Sequence, residues 1–124
     1  MKNILLTLML FGIVGCATSY KDLSDYNPLE GGGYQETQIN NQTWEVTFFG
    51  NGFTGAALTE NYALRRAAEL TLAKGFDHFK LEDRNIYYGR FPSTTIKVRF
   101  FNLTETMIIT SDDYDAKSFL ARYE

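Results

Sequence analysis

Thr59-Glu60-Asn61-Tyr62-Ala63-Leu64-Arg65-Arg66-Ala67-Ala68-Glu69-Leu70-Thr71-Leu72-Ala73-Lys74-Gly75-Phe76 is the stretch whose periodicity decides the fold. At the turn of an α-helix, Ala63, Leu64, Ala67, Ala68, Thr71 and Leu72 share one face, and Arg65, Arg66 and Glu69 share the other. Thr59 is placed to cap the start, and Gly75 to supply the left-handed residue that ends it. Phe76 can then fold back on Leu70, as in a Schellman ending. Arg65 and Glu69 stand one turn apart and can pair. An apolar stripe made mostly of alanine permits close approach to a flat partner, so this helix predicts a sheet.

The flanking sequence supplies that sheet. Tyr34 to Ile39 and Trp44 to Phe49 are β-prone runs joined by Asn40-Asn41-Gln42-Thr43, a hairpin signal. Trp44, Val46 and Phe48 alternate with Glu45, Thr47 and Phe49, which gives one apolar face. Phe76 to Leu81 and Thr94 to Phe101 read as further strands, the second with Ile96, Val98 and Phe100 on one side. Met107 to Thr110 reads as a short strand. A last helix follows, capped by Ser111 or Asp112, with Ala116, Phe119, Leu120 and Tyr123 on one face and Asp112, Asp113 and Asp115 in its first turn. The order β-β-α-β-β-β-α predicts an α+β fold: a mainly antiparallel sheet with about two helices packed on one face.

Upstream, Met1-Lys2-Asn3 is a short basic start, and Ile4 to Val14 an apolar run that ends at Ile13-Val14-Gly15-Cys16. This is the layout of an export signal, and it is too short to span a bilayer. The Ile-Val-Gly-Cys ending resembles a bacterial lipobox. That resemblance implies cleavage after Gly15 and a Cys16 thiol carrying diacylglycerol, with fatty acid such as palmitate. The expected organisation is a signal peptide over 1–15, a lipidated cysteine and flexible tether over 16–33, and one α+β domain over 34–124. Treated as coil, the tether would average roughly 20–25 Å.

Cys16 is the sole cysteine, so lipidation would leave no thiol for a disulfide, a redox pair or a thiolate metal site. The domain must then rest on its apolar core, to which the 15% aromatic content contributes. The formal charge is −3, and loss of Lys2 would bring it to about −4. Such a balance offers no footprint for a nucleic-acid backbone and no polybasic attraction to anionic lipid, so the acyl chains would carry the membrane attachment.

Several phrases occur together: Gly32-Gly33-Tyr34-Gln35-Glu36, Gly50-Asn51-Gly52-Phe53-Thr54, Tyr62 to Glu69, Gly75-Phe76-Asp77-His78-Phe79 and Tyr114-Asp115-Ala116. With the lipobox they resemble a family of small, functionally uncharacterised lipoproteins of Gram-negative bacteria, over most of residues 30–124. The resemblance implies an envelope location and an α+β domain, but no activity and no functional residues. Ala17, rather than an aspartate, follows Cys16. In lipoproteins of this kind that implies sorting to the outer membrane; the domain is separately expected to face the periplasm, with surface display left open.

Candidate chemistry is sparse. Gly50-Asn51-Gly52-Phe53-Thr54-Gly55 matches G-x-G-x-x-G between a strand and a helix. However, Glu82 and Asp83 lie too far on for the ribose-binding acid, and the preceding strand is amphipathic rather than buried on both faces. A tight turn in which glycine supplies positive φ is the simpler reading. His78, the single histidine, is expected as a half-buried strand residue facing away from Asp77. Glu36 and Glu45 could form a carboxylate pair across the first hairpin, the minimal apparatus of a glycosidase.

No convincing catalytic constellation emerges, and no cofactor or metal is expected. Ile86-Tyr87-Tyr88-Gly89-Arg90-Phe91-Pro92 stands out, since tyrosine and arginine are enriched in binding hot spots. It is either an interaction patch formed by Tyr87, Tyr88, Arg90 and Phe91, or a hairpin arm whose aromatics complete the core. The favoured expectation is a lipid-anchored module that binds a protein or another envelope component. Its alternatives are a small-ligand binder with a pocket between helix and sheet, and a hydrolase using carboxylates and His78.

Overall fold

The computed structural model describes Tyr20, residues 32–51 and residues 53–123. The expected signal peptide with Gly15, the lipidation site Cys16 and most of the 16–33 segment lie outside these residues, as does Gly52 of the glycine-rich turn.

Five strands, β1 (Gly33–Gln38), β2 (Thr43–Phe49), β3 (His78–Tyr87), β4 (Ser93–Phe101) and β5 (Asp113–Asp115), form one sheet in the order β1-β2-β4-β3-β5. Every neighbouring pair is antiparallel. Helix α1 (Ala56–Ala73) joins β2 to β3, which run parallel to each other on either side of β4. The short helix α2 (Ala116–Leu120) and a 3₁₀ turn (Ala121–Tyr123) end the chain. The fold is α+β, with the element order read from the sequence.

The alanine face of α1 explains the layering. Ala63, Ala67 and Ala68 are fully buried, as are Val46, Phe48, Phe79, Ile96, Val98 and Phe100 from one face of the sheet. Small side chains on the helix let the large ones on the strands fill the gap. Ala116 and Phe119 bring α2 into the same core. Leu70 joins the buried face while Leu72 is 41% exposed, the reverse of the sequence expectation at Leu72.

The helix ends as the sequence requires. Gly75 has φ +88°, its N–H donates to the Leu72 carbonyl, and the Phe76 N–H donates to that of Thr71, the paired bonds of a Schellman ending. Phe76 then lies against Phe100, with ring centroids 5.8 Å apart.

Other boundaries differ from the sequence reading. Gly55 caps α1 without a side-chain bond, and Thr59 lies inside the first turn. Asp115, rather than Ser111 or Asp112, caps α2, its carboxylate accepting from the Ser118 N–H. Met107 to Thr110 is not a strand; the fifth strand is Asp113–Asp115, seated by stacking of Tyr114 on Phe79 at 4.9 Å and 7°.

Candidate functional site

β3 and β4 pair from His78 opposite Phe101 out to Tyr87 opposite Ser93. Past Leu81 the strand carries Glu82, Asp83, Arg84 and Asn85, and a register shift lies between Leu81 and Asp83. β5 covers only His78 to Lys80, so these polar residues and the bulge blunt the remaining edge of β3 against another strand.

The hairpin end is different in character. Tyr87, Tyr88 and Phe91 are 61%, 76% and 58% exposed. Arg90 is exposed too, its guanidinium 5.6 Å from the Phe91 ring centroid. The Tyr87 ring lies across Gly89, its hydroxyl end in the space that a Cβ at position 89 would occupy. The four residues named from the sequence therefore sit together as an exposed tip, and the arm does not tuck its aromatics into the core.

Two more aromatics stand at the same end of the sheet, and the sequence reading missed them. Phe49 closes β2 opposite Ser93, itself opposite Tyr87, so all three project from the face turned away from α1. Phe53, 78% exposed, is carried by the β2–α1 turn, which is fastened to the hairpin by the Gly50 N–H donating to the Pro92 carbonyl at 2.8 Å. Alternation marks Phe49 as outward-facing, but no sequence signal places this turn beside Pro92.

The turn itself is a structural joint. A Cβ on Gly50 would meet Thr54 and Thr59 at 3.0 Å and the Pro92 carbonyl at 3.1 Å. Asn51 Oδ1 accepts from the Phe53 N–H at 2.8 Å and the Thr54 hydroxyl at 2.9 Å. Thr59 and Thr94, both fully buried, bond to each other through their hydroxyls at 2.9 Å. Arg84 reaches Glu60 at 3.3 Å. The expected positive φ is not found at Gly50 or Gly55; among the described residues it occurs at Gly32, Gly33 and Gly75. Close packing, not φ, selects glycine at position 50. An antiparallel β2 also removes the parallel-sheet context that a dinucleotide fingerprint requires.

The other candidates separate. Glu36 pairs with Val46 on the helix side of the sheet, whereas Glu45 pairs with Thr37 and Lys97 on the opposite side. They cannot act on one substrate. Glu36 is instead bound by Arg66 at 2.7 Å, and Arg66 also reaches Glu69 at 3.3 Å. Arg65 stands 3.9 Å from Glu69, the expected pairing one turn on.

His78 is buried, and its Nδ1 lies 2.7 Å from Asp77 Oδ1, contrary to the expectation that the two point apart. Asp77 precedes the strand, so the alternation of strand side chains does not reach it. The same carboxylate oxygen accepts from the Leu103 N–H at 2.9 Å, and these bonds, Leu103 first, hold Asp77 below the usual carboxylate range. The imidazole thus has an orienting carboxylate. Its Nε2, however, faces Asp115 at 3.8 Å, which is no nucleophile for it to deprotonate. Asp77 and Asp115 tie the start of β3 to residues 102–103 and to α2.

The space between α1 and the sheet is filled by fully buried side chains. A cavity of about 210 Å³ lies on the opposite face, lined by Lys80, Arg99, Phe101, Met107, Ile108 and Ile109, with Asp113 at its edge. Burial works against ionised Asp113, but Thr110 and Lys80 outweigh it and hold the carboxyl low. Among the described residues, no group of three or more His, Cys, Asp or Glu is arranged to hold a metal ion, and no helix is long and apolar enough to cross a membrane.

Fold and surface together define a small α+β protein with an aromatic end to its sheet. No family model, curated protein or solved structure matches the chain.

Proposed function

We propose that this chain is a lipid-anchored envelope lipoprotein whose domain binds a protein or other envelope component through the aromatic end of its sheet. The lipobox-like Ile13-Val14-Gly15-Cys16 supports acylation of Cys16, and Ala17 supports sorting to the outer membrane. The observation that carries the binding role is the exposure of Tyr87, Tyr88, Phe91 and Phe53 at one end of the sheet. Aromatic side chains each bring roughly 150–250 Å² of surface, and leaving several in water is unfavourable unless a partner covers them. Arg90 adds a guanidinium of the kind that anchors interface hot spots.

The Gly50–Pro92 and Thr59–Thr94 bonds fasten the backbone beneath them, so the ordering cost on binding falls mainly on the exposed side chains. A binding role is preferred to an enzymatic one because Glu36 and Glu45 lie on opposite faces of the sheet and His78 Nδ1 is held by Asp77 at 2.7 Å. The test is co-isolation from solubilised membranes, comparing the wild-type protein with the Tyr87→Ser/Tyr88→Ser/Phe91→Ser variant. A specific partner retained by the first and lost by a folded variant supports the reading. Identical co-purification overturns it.

A second reading, a small-ligand binder, draws on the cavity opposite α1. Lys80 and Arg99 stand beside Met107, Ile108 and Ile109, and an amphiphilic anion would compete there with Asp113, 3.5 Å from Lys80, and Glu82, 3.7 Å from Arg99. Its test is titration with a medium-chain fatty acid against the Arg99→Ala variant, which should bind more weakly.

A further inference from the structure

Tyr20 falls within the segment read from the sequence as a tether, yet its side chain is packed into the domain. Its ring stacks on Tyr34 at 5.2 Å, lies parallel to Phe48 at 6.3 Å, and meets the edge of Tyr62 at 5.3 Å. The Arg65 guanidinium covers it at 4.0 Å. The hydroxyl donates to Glu69 Oε1, the oxygen that Arg66 also reaches. Burial, then the Glu69 carboxylate, push Tyr20 far above the ordinary tyrosine range, so it remains a neutral donor. Tyr20 thus fills the seam between α1 and edge strand β1, next to the fully buried Phe48.

The seat lies four residues from Cys16. Four fully extended residues span at most about 14 Å. Were the chain unattached as far as Gly32, sixteen residues of coil would average roughly 20–24 Å and leave the domain free to turn. We infer that Tyr20 docks the lipid-proximal chain onto the α1–β1 seam, so that acylated Cys16 holds this flank of the domain against the bilayer surface. The partner of the flank is lipid, and it is distinct from the aromatic end of the sheet. The inference rests on the proposed acylation of Cys16.

The test uses the full-length acylated protein in vesicles of phosphatidylethanolamine and phosphatidylglycerol containing a headgroup nitroxide lipid. A fluorophore is placed at Asn61→Cys, one helical turn from Arg65, or at Glu105→Cys, in the segment leading to the cavity lining on the far face of the sheet. Both positions are exposed. The expected result is stronger quenching at position 61 than at 105. That contrast should survive Tyr20→Phe, which keeps the ring. It should be lost on inserting about a dozen Gly-Ser residues between Cys16 and Tyr20, which leaves the seat intact but lengthens the leash. Equal quenching at the two positions in vesicle-bound wild-type protein overturns the inference while leaving the anchor standing. Failure to float with vesicles overturns both.

Discussion

Thr59 and Thr94 pin the first turn of α1 to β4 beside the aromatic end, and their hydrogen bonds have a direction. Thr59 Oγ1 donates its single proton to the Ala56 carbonyl at 2.6 Å. The 2.9 Å bond between the two hydroxyls must therefore be donated by Thr94. Both residues are fully buried. Thr59→Val removes the acceptor and strands the Thr94 hydroxyl away from water, an expected cost of about 2 kcal/mol. Thr94→Val removes the donor and leaves Thr59 still bonded to Ala56, an expected cost of about 1 kcal/mol.

The double variant replaces both hydroxyls with methyls of similar shape and strands nothing. It should be less destabilised than the sum of the singles, by about 1 kcal/mol. For a domain of this size 1 kcal/mol moves Tm by roughly 4–8 °C, so the difference is measurable. Circular-dichroism thermal melts and urea titrations of the four proteins give the cycle. Strict additivity, or a larger loss from Thr94→Val than from Thr59→Val, would refute the donor assignment.

Three further outcomes are expected. Gly75→Ala places a Cβ in open space but keeps φ at +88°, so it should cost about 1–2 kcal/mol from backbone strain alone, seen in urea melts as a lower midpoint at unchanged slope. Gly50→Ala crowds Thr54, Thr59 and the Pro92 carbonyl, so it should cost about 1–3 kcal/mol and alter the exposure of the hairpin end, read by hydrogen exchange at residues 87–93. Asp77 has a folded-state pKa below its ordinary value of 3.8, so its contribution to stability is present above that pH and is lost as the pH falls through the lowered value. Thermal melts between pH 5 and 2 should therefore show a shallower acid decline in Asp77→Asn than in the wild type.

The sequence was most legible where one period runs long. Eighteen helical residues with an alanine stripe, and the alternation through β2 and β4, define the core face and imply the layering. It was least legible where a few residues are held by distant ones. β5 is one tyrosine between two aspartates, too short for a usable period, and it forms because Tyr114 finds Phe79. Met107-Ile108-Ile109 has strand-like composition, but it lies over the outer face of the sheet beside Arg99 and Phe101. The Asp77–His78 contact defeats an alternation rule that applies only inside a strand.

At the candidate site the tip residues were readable as an aromatic cluster out of place between strands. Phe49 and Phe53 were not, because their membership depends on the strand order and on the Gly50–Pro92 bond. Tyr20 was hidden for a related reason: its neighbours in sequence are polar, and its partners come from β1, β2 and α1.

The binding role is tested most directly by photo-crosslinking in living cells, with the photoreactive residue at position 88 and a control at the exposed Asn61. A discrete adduct at position 88, absent at 61 and diminished by Phe91→Ser, is the predicted result. No adduct at 88, or the same adducts at both positions, would contradict the assignment of the aromatic end as the partner-binding surface.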